Sequence, residues 1–126
     1  MHRTWFLIVT ALVEVGTGLS LLFLPSIPLA LLLGVSGAAP ATAVIARVAG
    51  AALLAIGVAS FLARSDQHSP AQLGLLTGVL IYDAAAAVLL AYAGAVLKMA
   101  GIALWPAVAL HTALAAWCVA CFWGNK

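Results

Sequence analysis

Glu14, Arg47, Asp83 and His111 are the side chains of this 126-residue chain best suited to chemistry, and each stands inside a different long apolar stretch. An ionisable group in hydrocarbon costs roughly 2.5–3.5 kcal/mol at a helix centre, so such groups pair with one another and mark ligand or proton paths. Two ionised acids, one guanidinium and a neutral imidazole leave a net charge of −1. The expected arrangement pairs one acid with Arg47. The other acid is then protonated, held by His111 as imidazolium, or neutralised by a bound cation. Groups coupled in this way exchange a proton as a unit near neutral pH, which serves proton-linked transport and general acid–base catalysis alike.

The elements that position these residues follow from composition. The chain is 67% hydrophobic and 6% charged. A soluble globule of this size exposes too much of its surface to be covered by so few polar residues, so the lipid bilayer is the expected solvent. The length accommodates about four spanning helices of roughly 20 residues each, in one transmembrane domain. The fold class expected is all-α, an integral membrane four-helix bundle. Net charge is +2 with no basic run, which removes nucleic acid from the expected partners. Spanning segments are expected at about 5–24, 41–63, 72–95 and 105–122. The first exceeds the apolar core of a signal peptide, carries Glu14 and lacks a small-residue cleavage site, so it reads as a retained helix. Pro25 and Pro28 end it. Leu29 to Gly34 is apolar but too short to span and is expected to lie in the interface. Residues 64–70 form the one truly polar loop.

Arg3, Arg64 and Lys126 fall on one side of such a bundle and Lys98 on the other, which favours cytoplasmic termini in the inner (plasma) membrane. Trp5, Trp105 and Trp123 fit the interfacial belts. At 1.5 Å per residue, Glu14 and Asp83 lie about 14 and 16 Å from the cytoplasmic end, while Arg47 and His111 lie roughly 8–10 Å below the outer end. Register alone therefore allows all four to meet in one layer near mid-bilayer. Thr10, Glu14 and Thr17 share a helix face. Arg47, Gly50, Leu54 and Gly57 form a second stripe, and His111, Leu114 and Cys118 a third. Tyr82 points about 100° from Asp83 and could add a hydroxyl if the helix turns slightly. Gly74 and Gly78 make a small-xxx-small pair on another face, a candidate homodimer contact.

Cys118 and Cys121 have CxxC spacing, which resembles the redox pair of the vitamin K epoxide reductases. The likeness stops at that tetrapeptide, and buried filler thiols are the expected reading. His111 has no histidine partner in any segment, so a structural or proton-handling role is expected, with no metal site and no cofactor. No nucleotide-binding loop, HExxH or nucleophile elbow occurs. The stretch from Ala11 to Thr17 resembles the first helix of the small multidrug resistance transporters, proton–cation exchangers of similar length. That resemblance would make Glu14 a shared proton and substrate carboxyl. Broader likeness, through Leu22-Phe23-Leu24-Pro25-Ser26, Arg47-Val48-Ala49-Gly50, Tyr82-Asp83 and Trp105-Pro106, is to small four-helix bacterial inner-membrane proteins of the DoxX-like type. It implies the fold and transfers no chemistry.

The expected function is therefore a small polytopic membrane protein whose charged network binds a small ligand or ion, or passes a proton as in proton-coupled transport, from a cavity open toward the outer leaflet. Glu14 and Asp83 would accept a proton or cation, Arg47 would supply fixed counter-charge and His111 would relay. The alternatives are a membrane-embedded acid–base enzyme acting on a lipid-like substrate, which calls for a lateral apolar opening, or an accessory subunit with no cavity and closed hydrogen bonding.

Overall fold

A computed structural model describes residues 2–66 and 69–123. The loop residues Gln67 and His68, and the tail Lys126 used in the orientation argument, lie outside the described residues. Five helices follow one another: α1 (His2–Phe23), α2 (Ser26–Leu33), α3 (Pro40–Ala63), α4 (Pro70–Ala95) and α5 (Leu104–Trp123). The four long ones are apolar and long enough to cross a membrane. The fifth corrects the four-helix expectation. The stretch around Leu29–Gly34, expected only to lie in the interface, forms most of α2, whose first turn tolerates Pro28 because a first-turn residue needs no intrahelical donor. Gly34 ends α2 in the left-handed region at φ 70°, with its N–H on the Ala30 carbonyl at 2.9 Å.

Prolines also set the other starts. Pro40 opens α3 and Pro70 opens α4, where the Ser69 hydroxyl accepts from the Gln72 amide at 3.1 Å. The latter helix therefore begins in what reads as loop from composition.

The long helices pack as two pairs. α1 lies along α3 and α4 along α5, while α3 and α4 barely touch. The first pair is close because its contact is glycine on backbone. A Cβ on Gly18 would stand 2.7 Å from the Leu54 nitrogen and 2.8 Å from the Gly50 carbonyl oxygen. Close backbone approach through small residues substitutes for the missing hydrophobic driving force in lipid. At the end carrying both termini the pairs are joined by a dry core of Phe6, Leu7, Leu76, Val79, Leu114 and Cys118. There Phe6 meets Trp117 edge-to-face at 5.7 Å, and Arg3 Nε donates to the Cys121 carbonyl at 3.0 Å. At the other end the pairs diverge and α2 lies across the opening.

What holds α2 there is Gly101. Its backbone runs against the Leu31 and Leu32 carbonyls with no room for a side chain, and the Ala103 amide donates to the Leu31 carbonyl at 2.8 Å. Gly101→Ala is expected to undock α2. The Ala103 amide should then exchange its hydrogen roughly five- to tenfold faster, as befits a lost bond worth about 1 kcal/mol. Gly78→Ala, which would meet nothing within 4 Å, should leave that exchange rate unchanged.

Candidate functional site

α1, α4 and α5 each deliver one ionisable residue to the same depth. Counting 1.5 Å per residue, Glu14 is about 18 Å from the start of α1, Asp83 about 20 Å from the start of α4, and His111 about 18 Å from the end of α5. Each lies on its helix's buried stripe: Thr10, Glu14 and Gly18 on α1, Leu76, Val79 and Asp83 on α4, His111, Leu114 and Cys118 on α5. Ligating atoms of the three residues fall within 4.8 Å of one another.

Burial here is close to complete. Glu14 is 1% exposed, Asp83 0% and His111 9%. His111 Nδ1 donates to Asp83 Oδ1 over 2.8 Å, which fixes the ring and leaves its other nitrogen free of that bond. Neither oxygen of Glu14 has a hydrogen-bond partner, and Asp83 Oδ2 has none either. Buried polar atoms are almost always satisfied, so three bare carboxylate oxygens in one cluster mark a place where something else belongs. One turn below Glu14 on the same face, the Thr10 hydroxyl is equally buried and equally unpartnered.

Tyr82 joins the cluster without any rotation of α4. Its ring packs edge-to-face on His111 at 5.5 Å, and its phenol stands beside Glu14. The 100° offset from Asp83 that separated the two in helical projection is what places Tyr82 on the border of the cleft while Asp83 stays wholly buried behind it.

Arg47 is not part of this arrangement. It is exposed on α3, roughly two and a half turns nearer the α2 end than Glu14, since Gly18 meets Gly50 and Leu54 while Gly57 meets Ala11 and Val15, and it stands roughly 120° around the helix from Leu53, the α3 residue that borders the cleft. Among the described residues no side-chain bond or ion pair reaches it. The stripe containing Arg47 does face inward at Gly50 and Gly57, but it faces α1, not the polar centre. The expected four-residue network is thus a three-residue acidic cluster, without its fixed positive charge.

Above the cluster a cleft of about 410 Å³ opens between the helix pairs. His111, Tyr82 and Thr17 border its floor, Leu21 and Leu90 its walls and Leu32 of α2 its far end. The lining is almost wholly apolar. One flank opens sideways past Ala85 and Leu89, both exposed on α4 where α3 stands away. The core around Leu76, Val79 and Leu114 lies on the opposite side, and of the three ionisable residues only His111 borders the cleft. Leu32 was invisible as a site residue in the sequence, because nothing in an apolar run tells which residue turns toward a cavity.

The remaining candidates sort simply. Cys118 and Cys121 are free and buried in the core, with Cys118 Sγ donating to the Leu76 carbonyl at 3.4 Å. Gly74 and Gly78 lie exposed with open space before them. Compared with protein-family models, curated proteins and solved structures, the chain matches none.

Proposed function

We propose that this chain is a multi-pass protein of the inner (plasma) membrane, with both termini cytoplasmic, that takes up a cation at Glu14, Asp83 and His111 in exchange for protons. The observation that carries this reading is the bare acidic cluster. Two carboxyls buried together with no guanidinium beside them cannot both stay ionised alone, because an unpaired charge in a low-dielectric interior is prohibitively costly. The cluster must hold protons when empty and release them to whatever positive group replaces them. Arg47, in the place first expected for it, would have repelled such a ligand; its position on the outer face of α3 supports the cationic choice.

A cleft on one side of the cluster supports an exchange site that opens alternately, with the core around Leu76 and Leu114 as the closed half. The accessory-subunit reading requires a filled interior and closed hydrogen bonding, and the cleft and the bare oxygens weigh against it. The sideways apolar opening and the Asp83–His111 bond favour one second reading: an acid–base enzyme on a lipid-like substrate, with His111 as the base that Asp83 orients.

The test is proton release. Purified protein in detergent, at low buffer strength, is titrated with tetraphenylphosphonium, sodium, and zinc ions in turn while pH is followed. At least one should displace protons in proportion to protein, and Glu14→Gln, nearly isosteric, should abolish that signal while leaving the helical circular dichroism intact. Silence toward all three cations would remove the exchange reading and leave the enzyme.

A further inference from the structure

The charge and donor set of the cluster name its ion, and we propose a divalent first-row transition metal held by Glu14, Asp83 and the His111 imidazole, entering as two protons leave. This rests on the cation-exchange reading and specifies it.

Three donors from three helices stand within 4.8 Å of one another, and the carboxylate oxygens that would face the ion are the ones without partners. The independent pointer to a ligand is Glu14, which is 1% exposed with both oxygens unpaired although its helix could have turned it elsewhere. Metal–donor bonds of about 2.0–2.2 Å are reached from such spacing by small side-chain rotations.

In the empty site the 2.8 Å bond ties His111 Nδ1 to Asp83 Oδ1. On metal entry that nitrogen loses its proton and turns its lone pair from Asp83 to the ion, which Asp83 and Glu14 meet through their unpartnered oxygens. Tyr82, packed on the imidazole, holds the ring plane. Three chain donors leave at least one position to be filled from the cleft that borders His111. An imidazole in the set favours zinc, copper, iron or nickel over the oxygen-seeking magnesium, calcium and manganese.

Charge counting gives the stoichiometry. An empty site of zero net charge holds two protons among Glu14, Asp83 and His111. A dication with two carboxylates and a neutral imidazole is neutral too, so both protons leave as the three metal bonds form. No net charge is moved into the membrane interior by the exchange, so the low-dielectric penalty that disfavours a bare ion there does not arise. A monovalent cation would need a retained proton to reach the same balance.

The experiment is calorimetric titration of zinc into detergent-solubilised protein in two buffers of different ionisation heat, which counts released protons. His2→Ala and His68→Ala are built into every variant to remove terminal and loop imidazoles. One zinc per chain and two protons per zinc are expected, and affinity should fall about 100-fold for each unit by which pH is lowered within the range where the empty site holds both protons. Glu14→Gln, Asp83→Asn and His111→Gln should each weaken binding at least 100-fold, and Cys118→Ser with Cys121→Ser should not change it. Cobalt absorption in the visible supplies a readout that needs no variant, because intense bands require a low-coordinate protein site. Binding that survives Glu14→Gln, a count of one proton, or no binding at millimolar zinc would overturn the assignment. Should zinc fail while tetraphenylphosphonium or sodium still displaces protons, the metal falls and the exchange reading stands; should all three fail, so do both readings.

Discussion

Valine at Gly50 should cost the protein at least about 3 kcal/mol and lower its melting temperature in detergent by roughly 10 °C or more. A Cβ at this position would lie 2.7 Å from the Gly18 carbonyl oxygen, 2.7 Å from the Leu22 nitrogen and 2.9 Å from the Leu21 Cβ. Two of those three neighbours are backbone, so no rotamer change relieves the collision and the helices themselves must move apart. A β-branched side chain adds two further methyl groups to the same space. The separation would be felt along the whole α1–α3 seam, since Gly18 and Gly57 are as tightly met as Gly50. Thr17 and Leu53, which border the cleft from these two helices, would be displaced with it. Gly74→Val on the open face of α4 is the control, with nothing within 4 Å and an expected change of only a few tenths of a kcal/mol, neutral or slightly stabilising because valine has the higher helix propensity. Melting of Gly50→Val together with the unaltered protein would mean that α1 and α3 are not packed backbone to backbone.

The contrast between Gly50 and Arg47 shows what a helical pattern can carry. Both sit on one stripe of α3 three residues apart, and the pattern alone places them on one face. Which neighbour that face meets is a property of the whole bundle, and the glycines, by allowing the closest approach, turned it to α1. Arg47 then falls at the edge of the α1 contact and outside it. For Glu14, Asp83 and His111 the same information sufficed, because depth was the deciding variable: residues near the middle of three inward stripes meet if the helices are upright. Burial cost gave the stripes their direction. A charged side chain has few tolerable places in an apolar bundle, so its presence marks the inside, except near a helix end where a long arginine can reach the interface. Arg47, about 10 Å from the start of α3, had that escape.

The short helix and the cleft were less legible for a related reason. Eight apolar residues between prolines and a glycine satisfy an interfacial segment and a docked helix equally well, and the deciding contact is with Gly101, almost 70 residues further on. A cleft is the absence of packing between α3 and α4, and absence of packing leaves no residue pattern. Only its lining, small Ala85 and Ala86 beside larger leucines, hints at it after the fact.

If the cluster exists for binding, the protein should become more stable when all of it is removed. His111→Leu alone strips Asp83 of its one hydrogen-bond partner and leaves two bare carboxyls side by side, so it should destabilise by about 3–5 kcal/mol. Adding Glu14→Leu and Asp83→Leu takes away every unsatisfied carboxylate oxygen and replaces it with side chains that pack among Val79, Leu114 and Ala11. Exchange of a buried polar set for well-packed apolar residues is neutral or favourable by about 1–4 kcal/mol elsewhere. The triple variant should therefore melt at or above the temperature of the unaltered protein, and well above the single variant, while losing all cation binding and proton release. Non-additivity of this sign is expected only where neighbouring groups share one electrostatic problem. The measurement is thermal unfolding of the unaltered, single and triple proteins in one detergent. A triple variant less stable than His111→Leu would mean that these residues hold the helices together, and that the bare oxygens find partners in the folded protein. An ordering with the single lowest and the triple highest would mean that the fold tolerates an unfavourable interior for the sake of what that interior binds.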